Sequence, residues 1–353
     1  MNLRFFKRYA PMLILPLLLI ALACTSGDSA PTPEVSTPTS EVSAPAPEAK
    51  VSPVLNVITT IYPVTYFAER VGGDRTTVES LIKAGVDAHD FEPTPSDIIK
   101  ISNADVLVYN HPAFESWVAD AVSTSASESL IVVKAADLPE DIEFKDAHGH
   151  AHGDEHGAEH GDEHGDEHGD EHGDEHETLL DPHVWLNPVE AVEQVRAIQA
   201  AFTNADQAGA STYAENADVL IAELLALDKK FIEGLESCAL DQVIVSHEAY
   251  GHMAERYSFE QIGLSGLSTE TEPGPQRIAK IIDEIKILGV SHVLQEPIGN
   301  QELAESVASE TNTQVLPFHP MESLTPGEFD SGETYFSIMD ENLKSLRAAL
   351  RCE

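Results

Sequence analysis

The sequence predicts an α/β protein that runs through strand–helix alternation twice, once on each side of a single long helix. Three observations carry this. Short β-branched runs alternate with helical stretches from residue 55 to 204. The same alternation restarts near residue 243 and continues to 350. Between them Ser211–Glu236 reads as one helix, with Leu220, Leu224, Leu227, Phe231 and Leu235 at three- and four-residue steps. At roughly 1.5 Å per residue it reaches close to 40 Å, enough to run along two lobes. Alternation of this kind implies parallel sheets, and ligands of such sheets bind at the carboxyl ends of the strands.

The elements follow in order. Leu55–Ile61 is an apolar first strand, and Pro63–Val71 a helix stopped by Gly72 and Gly73. Thr77–Ile82 is a second strand. Thr94-Pro95 is a helix start, with Thr as N-cap and Pro at the first helical position, and the helix runs to about Asn103. Asp105–Tyr109 is a short buried strand, Pro112–Ser123 a helix and Leu130–Lys134 a strand. Asn187-Pro188-Val189-Glu190 repeats the start signal with Glu at N3, opening a helix over 188–204. In the second half, strands are expected at Val243–Ser246, His292–Gln295 and Gln314–Phe318. Helices are expected at Ala249–Tyr257, Pro275–Leu288, 301–311 and Thr334–Leu350.

The flanking segments differ in composition. Arg4, Lys7 and Arg8 precede an apolar run from Met12 to Ala23, too short to span about 30 Å of hydrocarbon, so residues 1–24 read as an export signal. It closes on Ala21-Leu22-Ala23-Cys24, which resembles a bacterial lipobox with Ala21 where the pattern prefers Leu; Cys24 would then be lipidated. Residues 25–53, rich in Ser, Thr, Pro, Ala and Glu, read as a flexible tether. In an oxidising compartment Cys238 and Cys352 are expected to form a disulfide, the alternative being two separate thiols.

Of 353 residues, 61 are acidic and 20 basic, a net charge of -41. That disfavours nucleic acid and favours a cationic partner. The middle of the chain says which kind. From 153 the tetrapeptide Gly-Asp-Glu-His repeats, once as Gly-Ala-Glu-His, and nine histidines fall between 148 and 176: His148, His150, His152, His156, His160, His164, His168, His172 and His176. Residues 146–177 hold thirteen acidic residues and no Lys or Arg; taking those thirteen from -41 leaves -28. Glycine every fourth residue disfavours helix, so a disordered loop is expected. Imidazole suits zinc, copper and nickel, and a loop without fixed geometry binds several ions weakly.

Seven histidines lie outside that loop. His89 follows the second strand, His183 sits in Asp-Pro-His-Val-Trp-Leu-Asn-Pro just before a capped helix, and His247 follows Val-Ile-Val-Ser. All three are at loop–strand junctions, where an α/β sheet places ligands. His111, His292 and His319 have no such motif and are expected to be structural, and His252, in the Ala-Tyr-Gly-His helix start, is expected not to be a ligand. Asp90, Glu92 and Asp181 are candidates to orient an imidazole.

These segments resemble the zinc-binding solute-binding lipoproteins of bacterial ABC importers, the ZnuA-type members of the cluster A-I family, which also has manganese-binding relatives. The resemblance covers roughly residues 54–353. It implies two α/β lobes, each with a parallel sheet flanked by helices, joined by one long helix, with the metal in the cleft between them. The domains would be a lobe at 54–210 interrupted by the acidic loop 146–177, a linking helix at 211–236 and a second lobe at 237–353. Residue by residue, His89 and His183 would come from the first lobe and His247 from the second, and Glu322 in Pro-Met-Glu-Ser-Leu-Thr matches the fourth position. Glu296 is the alternative fourth donor. Manganese members carry Glu at the third position and Asp at the fourth, so His247 favours Zn²⁺. The implied protein is a monomer that carries Zn²⁺, is no enzyme, is held outside the cytoplasm by a lipid anchor, and delivers its ion to the permease and ATPase subunits of a metal importer.

Three imidazoles and a carboxylate independently suit a tetrahedral zinc site. Because the imidazoles must be deprotonated, affinity is expected to fall as the pH drops through about 6. A manganese carrier, a zinc-buffering or adhesin lipoprotein, and an exported zinc hydrolase are the rival readings. His247, Glu248 and His252 suggest His-Glu-x-x-His, but the second His falls at i+5, off the helical face the motif needs.

Overall fold

The computed structural model describes residues 55–138, 180–267 and 273–353. The export signal 1–24 with Cys24, the tether 25–53 and the nine loop histidines lie outside them.

The first lobe holds strands β1 (Leu55–Thr59), β2 (Thr76–Ser80), β3 (Val106–Tyr109) and β4 (Ile131–Lys134), with helices α1 (Tyr62–Gly72), α2 (Pro95–Ser102), α3 (Val118–Ser125) and α4 (Pro188–Ala205). All its strand pairs are parallel, in the order β2-β1-β3-β4. Helix α5 (Ala210–Leu235) follows. The second lobe holds β5 (Gln242–Val245), β6 (Glu260–Gly263), β7 (His292–Gln295) and β8 (Gln314–Pro317), ordered β6-β5-β7-β8 and again all parallel. Its helices are α6 (Gly251–Tyr257), α7 (Pro275–Leu288), α8 (Gln301–Thr311), α9 (Pro326–Ser331) and α10 (Tyr335–Leu350).

The starts of α2 and α4 fall where the sequence suggests, although Glu190 takes the Asn187 side-chain amide (2.9 Å) and not the backbone N–H of a capping box. Thr94 caps α2 in a full capping box with Asp97. Asn187 caps α4 by accepting from Val189 N at 3.1 Å. On α5, Tyr213, Leu220, Leu224, Leu227 and Phe231 are buried on one side. They belong to a single apolar cluster that runs from β1 through α5 to α10. The lobes therefore share one core along α5. Cys238, just beyond α5, is disulfide-bonded to Cys352, just beyond α10.

Three places differ from the sequence expectation. Residues 112–117 make turns, so the expected helix at 112–123 is reduced to α3. There Glu115 is buried, its carboxylate accepting from the backbone N–H of Asn110 (3.1 Å) and His111 (2.9 Å) ahead of the expected helix, while its own N–H donates to His111 O (2.9 Å) in a single helical turn that is not continued. Edge strand β6 and the short α9 were not foreseen. The Glu260-Gln261-Ile262-Gly263 run has one large apolar residue and no alternation to read. Among the described residues no helix is long and apolar enough to cross a membrane.

Candidate metal centre

Four side chains from four separate segments meet between the lobes: His89, His183, His247 and Glu322, each offering one donor atom within 4.8 Å of the others. His89 lies in the connection from β2 to α2. His183 begins the turn into α4. His247 is two residues past β5, and Glu322 five past β8. His183 and His247 are fully buried, and Glu322 is 7% exposed. Glu322 Oε1 is the hub, lying 3.3 Å from His89 Nε2, 3.2 Å from His183 Nε2 and 3.3 Å from His247 Nε2.

Those distances test the fit to a metal. A tetrahedron with zinc–donor bonds of about 2.0–2.1 Å has edges of roughly 3.3 Å, the spacing that Oε1 keeps from all three nitrogens. His247 Nε2 supplies the second test. It is buried and makes no hydrogen bond, which is costly unless it has another partner.

The opposite edges of His183 and His247 are held so that Nε2 faces inward. Asp181 Oδ1 accepts from His183 twice, at the backbone N (3.0 Å) and at Nδ1 (2.8 Å). Glu296 Oε1 lies 2.6 Å from His247 Nδ1. With a carboxylate as acceptor, each Nδ1 keeps its proton, so Nε2 is the nitrogen whose lone pair can serve a cation. Glu296 therefore stands behind His247 and not at the hub, which goes against its place as alternative fourth donor. Asp181 orients an imidazole, as one of three candidates from the sequence. Asp90 and Glu92 make no hydrogen bond to any of the three imidazoles. Asp87, not foreseen, accepts from His89 N at 3.0 Å.

The Glu322 turn rests on both lobes. Tyr62 N donates to Glu322 O (3.0 Å), Gly85 N to Leu324 O (2.7 Å) and Trp185 Nε1 to Pro320 O (2.6 Å). Met321, buried and at φ 64, is strained there. His319 Nδ1 accepts from Met321 N at 2.8 Å and Asn342 Nδ2 donates to His319 O at 2.8 Å, which pins the turn against α10. His319 is thus structural, as the sequence suggests. Phe114 and Trp185 wall the site, with ring centroids 4.7 Å from His89 and 5.2 Å from His183.

The charges are coupled. Burial works against a protonated His89 but the Glu322 carboxylate outweighs it, raising His89 above the ordinary histidine value. His247 is buried as well, yet Glu296 and then Glu322 hold it well above that value. Burial would push Glu322 up, but the three imidazoles hold it well below the carboxylate range. His89 and His247 therefore hold their protons more firmly than free imidazoles do. Asp87, Asp90 and Glu296 line a cavity of about 340 Å³ that reaches His247, so its mouth is acidic.

The fold and donor set define a class: a two-lobe α/β protein with three imidazoles and one carboxylate gathered between its lobes, a set that suits one metal ion. The sequence pattern of the family described as "ZnuA: Zinc-uptake complex component A periplasmic" matches residues 57–349, and the chain belongs to that family. It is 33% identical over 297 residues to the zinc-binding lipoprotein AdcA of Streptococcus pneumoniae, covering 83% of this chain and 55% of that protein. The chain thus spans about half the length of that relative. It is 34% identical over 299 residues to the high-affinity zinc uptake system protein ZnuA of Bacillus subtilis, covering 84% of this chain and 88% of that one. The Zn(II)-bound ZnuA-like domain of Streptococcus pneumoniae AdcA superposes with a TM-score of 0.66 at 30% identity, over 84% of this chain and 98% of the domain.

Proposed function

We propose that this chain is the extracytoplasmic zinc-capturing component of an ABC importer. It binds one Zn²⁺ through His89, His183, His247 and Glu322 and delivers it to a membrane permease driven by an ATPase subunit. The observation that carries the reading is Glu322 Oε1, set 3.2–3.3 Å from three inward-facing imidazole nitrogens. Three imidazoles and a single carboxylate oxygen favour zinc over manganese, which takes more oxygen donors.

In this reading residues 1–24 direct export, Cys24 carries the lipid, and residues 25–53 hold the body away from the membrane. The histidines between 148 and 176 gather ions from dilute solution and pass them to the acidic mouth of the cleft. Asp181 and Glu296 keep His183 and His247 in the tautomer that accepts the ion, and binding displaces protons from the imidazoles. Four protein donors close the coordination sphere, which suits a cargo site; a hydrolytic site keeps a position open for water. The lobes move little on loading because α5 and the shared core tie them together. The residues from 237 onward and the first lobe work as one carrier, a monomer.

The test is metal analysis of the chain lacking residues 148–176, with zinc and manganese in competition. One tightly held Zn²⁺ that excess Mn²⁺ does not displace supports the reading. Zinc-dependent turnover of ester or peptide substrates would favour the hydrolase instead.

A further inference from the structure

The structure shows a contact behind the metal centre that joins the lobes through one histidine. His252, the second residue of α6 in the second lobe, points at the first. Its Nε2 lies 2.9 Å from the backbone carbonyl oxygen of Asp181. Its Nδ1 lies 2.8 Å from Glu190 Oε2 in the first turn of α4. A carbonyl oxygen accepts only, and an ionised carboxylate accepts only. Both ring nitrogens must then donate, so geometry alone makes His252 an imidazolium. Its neighbour Gly251 completes the fit. A Cβ at Gly251 would stand 2.4 Å from Asp181 Oδ2, so the carboxylate reaches its place only because that position carries no side chain. Asp181 is thereby gripped at its carbonyl and seated at one carboxylate oxygen by α6, while its other oxygen holds the backbone and ring of His183.

We propose that Gly251 and His252 form an inter-lobe clasp that positions the metal-ligating His183 through Asp181. His252 is a positioning residue that touches no donor atom of the centre. The clasp gives the second lobe, which already supplies His247 and Glu322, a second hold on the centre: it fixes the angle at which a first-lobe donor meets them. This rests on the reading of His183 as a metal ligand.

The test uses the full chain and three variants, H252F, H252Q and G251A. Zn²⁺ affinity is read in competition with a chelator strong enough to keep weaker sites empty. The visible absorption of one equivalent of Co²⁺ reports donor geometry, and melting of the metal-free protein is followed alongside. Disturbing a group that orients a metal ligand costs roughly 10–100-fold in affinity, and H252F, acting one bond further out, is expected to cost about tenfold and to shift the Co²⁺ band. H252Q keeps a donor at the Nε2 position and should recover most of both, while G251A, which dislodges Asp181, should resemble H252F. Wild-type affinity and an unshifted Co²⁺ band in H252F and G251A, with only the melting temperature lowered, would overturn the clasp. So would equal losses in H252Q and H252F. Should H252F not fold, H252Q and G251A make the same distinction. An H183A protein with wild-type Zn²⁺ affinity would instead overturn the underlying ligand assignment.

Discussion

Replacing Glu322 with Gln keeps the side-chain shape and removes the one formal negative charge at the hub. Its Oε1 stands 3.2–3.3 Å from three imidazole nitrogens, so no neighbour can take over its contacts without moving. Glu296 is committed to the far edge of His247 at 2.6 Å and is not free to replace it. Changing a group that only orients a ligand already costs 10–100-fold; losing the charged donor should cost at least about 100-fold, or ~2.7 kcal/mol. The pH dependence should change too. In the native protein the Glu322 charge raises His89 and contributes to the rise in His247, so protons compete with zinc above the ordinary histidine range. Affinity should therefore start to fall at a higher pH than the value near 6 expected from the sequence. In E322Q both imidazoles lose that charge, the bend in affinity against pH moves to lower pH, and the deficit narrows on acidification. Zinc titration against a chromophoric chelator, on protein lacking residues 148–176, between about pH 5 and 8.5, measures both effects. An E322Q affinity within about threefold of native at the alkaline end, or a bend that does not move, would refute the reasoning.

Three further outcomes are expected. H183A should abolish the tight site and leave only loose binding at the loop histidines, whereas deleting residues 148–176 should do the reverse; equilibrium dialysis with zinc counts both classes. Burial disfavours a charged His252, but its hydrogen bonds to Glu190 and the Asp181 carbonyl raise it to about 9. Because the folded value lies above the unfolded one, its contribution is complete below about pH 6.5 and is lost as the pH rises through about 9. With Glu190 partly exposed this amounts to about 1 kcal/mol, so the melting gap between native and H252Q metal-free protein should close on alkalinisation. Joint replacement of Cys238 and Cys352 by Ser should cost about 2–4 kcal/mol in denaturant unfolding, since the bridge closes 114 residues, while zinc affinity stays native.

The sequence made the layout legible where one residue type decides a local outcome. Pro95, Pro188 and their caps fixed two helix starts, and the spacing of Leu220, Leu224, Leu227 and Phe231 fixed α5. His247 lies near a strand end as expected, whereas His89 sits nine residues past β2 and His183 in the turn into α4, and the convergence of the three and the choice of Glu322 came from the family resemblance, because the partners lie up to 233 residues apart. What stayed hidden depends on tertiary contact. Residues 112–117 fold around the buried Glu115, whose carboxylate accepts from the Thr60 hydroxyl and from two backbone N–H groups upstream. Glu296 reads equally well as donor or support until the ring edge it faces is known. Nothing local marked His252 as a contact between lobes, since both its acceptors belong to the other lobe.

The most direct measurement of the central claim is zinc-edge X-ray absorption on the loaded protein lacking residues 148–176. One ion per chain with four light donors at about 2.0–2.1 Å, three of them showing the outer-shell scattering of imidazole, is the predicted result. Two imidazoles or fewer, or six-fold oxygen-rich coordination, would contradict it.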